Sequence, residues 1–250
     1  MLTSVSTTMP AVTTGEASLT LGEMLDLNPP YLHPEYKITL LRAPAKRLIE
    51  LPREWFHHAR GPVFGRVPIG PNDSDLTAQH PGRPIGQRIV LSGRVLDSDG
   101  RPVPSTLVEI WQTNAAGRYV DAVDPAFMPL DPNFTGAGRT ITDSEGRYSF
   151  RTVKPAAYPG DIGSLFRPAH IHVSLFGQDL SSRLITQCYF EGDPLLTRDP
   201  ILQSIPDPRG VDRLIARFND DETEPGGVDS ALAYDWDIVL RGRAATPMEN

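Results

Sequence analysis

His170 and His172 stand two residues apart in FRPAHIHVSLFG, an apolar and β-branched run. Side chains alternate faces along a strand, so this spacing sets both imidazoles on one face with Ser174 and Phe176. Ala169, Ile171, Val173 and Leu175 then share the other face. The pair is open to three readings. It is two partly buried rings satisfied by hydrogen bonds, or half of a metal site completed by a carboxylate or a third histidine, or half of a metal site completed by phenols. The remaining histidines, His33, His57, His58 and His80, all lie in an irregular N-terminal region, and the first carboxylate after His172 is Asp179. A three-histidine zinc site therefore stays open but unsupported.

The phenol reading draws on Tyr119 in NAAGRYVD and Tyr158 in KPAAYPGD. Phenolate oxygen is a hard, anionic donor that suits Fe(III) better than Zn(II). Two imidazoles, two phenolates and a hydroxide would neutralise the trivalent ion and leave a position for substrate. Either tyrosine taken alone is more often a packed aromatic with a satisfied hydroxyl. Spacing does not choose among the three.

The elements that must carry these residues read as strands. The 250 residues suffice for one substantial core, and 25 prolines with 21 glycines argue for many turns and against long helices. A net charge of −7 with no basic block excludes a nucleic-acid partner. No run approaches the roughly 20 apolar residues of a membrane span. Cys188 is the only cysteine, so no internal disulfide forms, and in ITQCYF it reads as a small buried hydrophobe. With an N-terminus lacking a charged and then apolar leader, the expected compartment is the cytoplasm.

Residues 1–21 read as a mobile Ser/Thr-rich tail, and 22–86 as a proline-studded arm, partly helical at KITLLRAPAKRLIEL, that packs on something else and has no core of its own. Residues 87–250 read as one strand-built domain, with strands expected in RIVLSGRVLD, TLVEIWQTN, AHIHVSLFG, RLITQCYF and YDWDIVLRG. RTIT and RYSFRTV read as a hairpin through DSEG. One late helix is expected in DPRGVDRLIARFND, where Val211, Leu214, Ile215 and Phe218 recur at helical spacing, Asp207 caps and Pro208 opens the first turn. The fold class is all-β, a β-sandwich. Trp111 and Phe190 are assigned to its core.

Several stretches carry a family resemblance. NAAGRY, PLDPNFTGAGRTITDSEGRYSFRTVKPAAYP, FRPAHIHVSLFG, LITQCYFEGDP and YDWDIVLRG resemble the intradiol ring-cleaving dioxygenases, and more narrowly their iron-bearing β subunits. LHPEYKITLLRAP and RPIGQRIVLSGRVLDSDGRPVP extend the likeness to roughly residues 28–250. The resemblance implies a non-haem Fe(III) held by Tyr119, Tyr158, His170 and His172, with Tyr158 and His172 axial. It implies that a catechol enters as Tyr158 leaves the metal and takes a substrate proton. Ring cleavage by O2 between the hydroxyl-bearing carbons then gives a cis,cis-muconate. Arg167 is similar to an arginine flanking the ring and stabilising negative charge. Gln187 is similar to a hydrogen-bonding glutamine near the iron, and Tyr36 to a tyrosine lining the substrate pocket. The implied partner is a homologous α subunit in a hetero-oligomer, on which the arm of residues 22–86 packs, and residues 87–250 are the implied catalytic domain.

Two departures bear on substrate. Gly160 and Phe166 stand where this family commonly carries tryptophan, which would widen the pocket mouth beside Tyr158. The expected substrate is protocatechuate, giving 3-carboxy-cis,cis-muconate, with another substituted catechol such as 4-sulfocatechol as the alternative. A non-catalytic β-sandwich subunit and a zinc hydrolase are the competing expectations.

Overall fold

The computed structural model describes residues 26–29, 68–121, 127–159, 166–176 and 183–248. In chain order its elements are β1 (Arg88–Leu96), β2 (Leu107–Gln112), β3 (Ala137–Ile141), β4 (Arg147–Val153), β5 (Tyr158–Pro159), β6 (Phe166–Arg167), β7 (His170–Phe176) and β8 (Arg183–Phe190). They are followed by α1 (Pro200–Gln203), α2 (Pro208–Asp212), β9 (Ile215–Glu224), β10 (Ala231–Asp235) and β11 (Ile238–Val239). The all-β sandwich expected from the strand pattern is what forms. One layer runs β4–β1–β10–β9 and the other β3–β2–β7–β8–β9, so β9 belongs to both. Its first residues pair in parallel with β8 and its remainder antiparallel with β10.

Alternation of side chains fills the space between the layers. Ile89, Leu91 and Val95 of β1 and Tyr148 and Phe150 of β4 meet Val108 and Ile110 of β2 and Ile171, Val173 and Leu175 of β7 in one buried cluster. Cys188 and Phe190 of β8 join it, as expected for both. Burial drives the Cys188 thiol pKa far up, so it is inert as a nucleophile.

The structure corrects the expected hairpin. The DSEG turn is tight, with Glu145 and Arg147 N–H both donating to Asp143 Oδ1 at 2.9 and 2.8 Å. Yet β3 pairs with β2 and β4 with β1, so the turn hands the chain from one layer to the other. The reason is residues 73–76, which occupy the gap between β3 and β4. Arg139 N–H donates to Asp73 O at 2.8 Å, Leu76 N–H to Arg151 O at 2.8 Å and Arg151 N–H to Ser74 O at 2.9 Å. Leu76 is fully buried in the core. Gly138 permits this approach, since a Cβ there would sit 2.5 Å from Leu76 Cδ1 and 2.7 Å from Asp73 O.

The late helix is corrected as well. Asp207 caps it and Pro208 opens it as expected, the Asp207 carboxylate accepting from Arg209 N–H at 2.8 Å. It ends at Asp212, however, and Ile215 and Phe218 lie in β9. The open edge of β8 captures this segment: Tyr189 N–H donates to Leu214 O at 2.7 Å and Glu191 N–H to Ala216 O at 3.1 Å. Val211, Leu214 and Ile215 still share a purpose. They gather with Leu202 and Ile205 over the Tyr189 ring, covering the outer face of β8. Of the arm, residues 26–29 and 68–86 are described, and Asp26 O accepts from Asp207 N–H at 3.0 Å.

Candidate metal centre

Register places the histidine pair. His170 is opposite Tyr189, and His172 lies between Gln187 of β8 and Trp111 of β2, so these five side chains share the outer face. Trp111 is therefore not a core residue. It is half-buried and its ring stacks on His172, with centroids 4.9 Å apart and planes 4° from parallel.

Tyr119 arrives from a loop that Asn114 organises. The Asn114 side-chain oxygen accepts from Ala116 N–H at 2.9 Å and Arg118 N–H at 3.0 Å, while its amide donates to Pro129 O at 3.0 Å. Gly117 takes φ +82°, and a Cβ there would lie 2.6 Å from Ala157 O. This close approach sets the Tyr119 loop against the segment carrying Tyr158. Tyr158 in turn is the cross-strand partner of Arg167 in the two-rung β5–β6 ladder. Pro168 and Ala169 then turn the chain directly into β7.

The four rings converge. Tyr119 Oη is 3.0 Å from His172 Nε2, and Tyr158 Oη is 3.5 Å from His170 Nε2. The two tyrosine rings meet edge-on at 5.4 Å and the two imidazoles at 4.9 Å. His170 Nδ1–H donates to Pro168 O at 2.8 Å, which leaves the Nε2 lone pair facing the site. Burial, reinforced by Arg167 and His172, holds the His170 pKa well below the ordinary imidazole range, so the ring is neutral. Two imidazole nitrogens and two phenol oxygens within one small volume are a set that fits ferric iron. Among the described residues no group of three or more His, Cys, Asp or Glu comes together, and His80 instead meets Thr135 Oγ1 at 2.7 Å.

Arg167 is no surface residue. Its side chain is 6% exposed and its Nε–H donates to Asp199 Oδ2 at 3.0 Å, with Asp199 itself fully buried. NH2 donates to Gln187 Oε1 at 2.6 Å and to Tyr189 Oη at 2.9 Å. NH1 faces the site, 3.3 Å from Tyr158 Oη and 3.2 Å from His170 Nε2. Gln187 Nε2 is buried without a hydrogen-bond partner among the described residues, the kind of donor that a ligand's oxygen would satisfy. Tyr36 and Gly160 lie outside the described residues. Sequence reasoning missed Tyr189 and Asp199. Strand alternation from Gln187 could have found the first; nothing local to TRDPIL marks the second as an ion-pair partner.

A protein-family model described as Dioxygenase matches residues 59–242, and one described as Protocatechuate 3,4-dioxygenase beta subunit N terminal matches residues 29–54. The chain belongs to the intradiol ring-cleaving dioxygenase family, a family known for non-haem iron. Within it, the chain is 55% identical over 225 residues to the protocatechuate 3,4-dioxygenase beta chain of Burkholderia cepacia, spanning 89% of this chain and 94% of that one. It is 32% identical over 163 residues to the alpha chain of the Pseudomonas putida enzyme, spanning 64% of this chain and 75% of that one. The structure of 3-chlorocatechol 1,2-dioxygenase from Rhodococcus opacus 1CP shares the fold, with a TM-score of 0.52 at 22% identity over 76% of this chain and 71% of that one.

Proposed function

We propose that Tyr119, Tyr158, His170 and His172 hold a non-haem Fe(III) at which this chain cleaves protocatechuate with O2 to 3-carboxy-cis,cis-muconate. The observation that carries this reading is the convergence of two imidazoles and two phenols beside a buried guanidinium. When bound, the ferric ion supplies Lewis acidity and a template for the two catechol oxygens. The protein supplies the rest. Tyr158 Oη accepts a proton from one substrate hydroxyl, at an oxygen that Arg167 NH1 already addresses at 3.3 Å. Arg167 is a fixed positive charge where negative charge accumulates on the ring, and Gln187 offers its Nε2–H donors beside it. Trp111 keeps the His172 ring from turning by stacking on it. For Tyr36 and Gly160, a substrate-binding role is supported by the family resemblance alone.

A homologous alpha chain is the partner, and the N-terminal arm of residues 22–86 packs against it outside the part that fills this chain's own core. Exposed apolar side chains beside the ring cluster, Val120 next to Tyr119 and Phe166 next to Arg167, support a covering partner. The assembly works in the cytoplasm; among the described residues no helix is long and apolar enough to cross a membrane.

The test is iron content, visible absorption and oxygen uptake of the full-length chain co-produced with an alpha chain. Substrates are protocatechuate, catechol, hydroxyquinol and 4-sulfocatechol. Expected are bound iron, a broad tyrosinate-to-iron absorption and fastest uptake with protocatechuate. A colourless, iron-free and inactive protein, or one that binds zinc and consumes no oxygen, overturns the reading. Fastest uptake with 4-sulfocatechol moves the substrate to the sulfonate, as Gly160 in place of the family's tryptophan allows.

A further inference from the structure

We propose that Asp199 and Tyr189 are positioning residues, which aim the Arg167 guanidinium so that NH1 points at the edge of the site between Tyr158 and His170. A guanidinium is a rigid plane whose N–H vectors keep fixed angles to one another, so fixing two corners fixes the third. One corner is held by Asp199, whose Oδ2 accepts from Arg167 Nε–H at 3.0 Å. The second is held at NH2, which donates to Tyr189 Oη at 2.9 Å and Gln187 Oε1 at 2.6 Å. What remains is NH1, 3.3 Å from Tyr158 Oη and 3.2 Å from His170 Nε2.

The two holders are themselves held. Asp199 Oδ1 caps α1, accepting from Ile201 N–H at 2.9 Å and Leu202 N–H at 3.1 Å, so the carboxylate cannot rotate away from Arg167. The Tyr189 ring is fully buried under Leu202, Ile205 and Leu214, and its hydroxyl donates to Gln187 Oε1 at 2.6 Å while lying 3.4 Å from Asp199 Oδ1. An unbroken line of hydrogen bonds thus runs from the backbone of α1 to the atom that faces substrate. All of it lies out of water: Arg167 is 5% exposed, Gln187 2%, and Asp199 and Tyr189 are fully buried. In such surroundings direction and charge are retained together.

This inference rests on the proposed function for what Arg167 addresses, and not for the positioning itself. The experiment uses Asp199→Asn and Tyr189→Phe, each made in the wild-type and in the Arg167→Gln full-length chain co-produced with an alpha chain. Asparagine keeps the size of the cap but must turn either its NH2 toward Arg167 Nε–H or its NH2 toward the α1 donors. Crystal structures of both variants, with or without iron, are expected to show NH1 displaced from the Tyr158–His170 edge. A guanidinium unmoved in both overturns the proposal whatever the metal does. In the iron-loaded protein, Asp199→Asn is expected to lower kcat about 10- to 100-fold with KM nearly constant, as misaimed groups do. Tyr189→Phe removes one neutral acceptor of the Arg167 NH2 group and lowers kcat several-fold. On the Arg167→Gln background each substitution should cost less than about twofold, because the group they aim is gone. Equal costs in both backgrounds would mean a merely structural role and overturn the functional half. If Asp199→Asn does not fold, Tyr189→Phe decides alone. A wild-type protein without turnover sinks the proposed function, while the guanidinium position still decides this inference.

Discussion

His170 has its two ring nitrogens committed to different tasks, and the second residue on the way to it, Pro168, does the committing. The Pro168 carbonyl fixes the tautomer by taking the Nδ1 proton at 2.8 Å. Arg167, one residue earlier, is committed just as firmly by Asp199. That buried pair has a thermodynamic signature separate from catalysis. Arg167→Gln leaves the fully buried Asp199 carboxylate without its cation, which should cost about 3–5 kcal/mol of folding stability. Adding Asp199→Asn should return part of that loss, since a neutral pair replaces an unpaired charge. Urea unfolding of the two single variants and the double variant measures it; a double variant less stable than both singles contradicts the account. The same-face histidines were legible from spacing alone. Asp199 was not, because its importance comes from a partner 32 residues away that only the fold brings within reach.

At the scale of elements, the loop Asn114–Arg118 and the ladder β5–β6 are the two arms that present phenols. Gly117→Ala would add a Cβ 2.6 Å from Ala157 O at a φ of +82°, forcing the two arms apart. We expect iron affinity to fall at least tenfold while the sandwich stays folded, read by chelator competition and circular dichroism. Iron retained at wild-type affinity would show that the approach at Gly117 is unrelated to the site. The cap of α2 gives a pH-dependent signature. Arg209, through its side chain and its backbone N–H, lowers the Asp207 pKa from 3.8 to about 2. A depressed carboxyl pKa contributes stability above its unfolded value that is lost as pH falls through the folded one. The Tm difference between wild type and Asp207→Ala should therefore be constant above about pH 5 and shrink toward pH 2, as scanning calorimetry would show. The helix this cap opens also marks where sequence pattern misled. Helical spacing of Val211, Leu214, Ile215 and Phe218 was real, but an unpaired edge of β8 offers backbone bonds that outweigh local periodicity. Trp111 misled for a related reason: an indole in a strand reads as core until register shows which face it takes.

For the whole molecule, what closes the sandwich is partly a strand and partly a visitor. β9 stitches the two layers at one side, and residues 73–76 fill the opposite gap between β3 and β4. Strand content and the all-β class were legible because alternation is a local property. The insertion was not, since nothing in PNDSDL distinguishes a loop that lies on the surface from one whose leucine enters the core. Leu76→Ala should cost about 2–5 kcal/mol, comparable with a central core position, by chemical denaturation. A loss under about 0.5 kcal/mol, typical of an exposed loop, would refute the plug.

The two-rung ladder between Tyr158 and Arg167 has a consequence for how such a chain can change over generations. Tyr158 and Arg167 are rungs of the same ladder, so their spacing is set by backbone pairing and not by what joins them. The spacing of the rungs therefore does not depend on which residues stand at positions 160–165 of the sequence. The pairing that sets Tyr158 beside Arg167 can thus be inherited intact while the sequence between them changes.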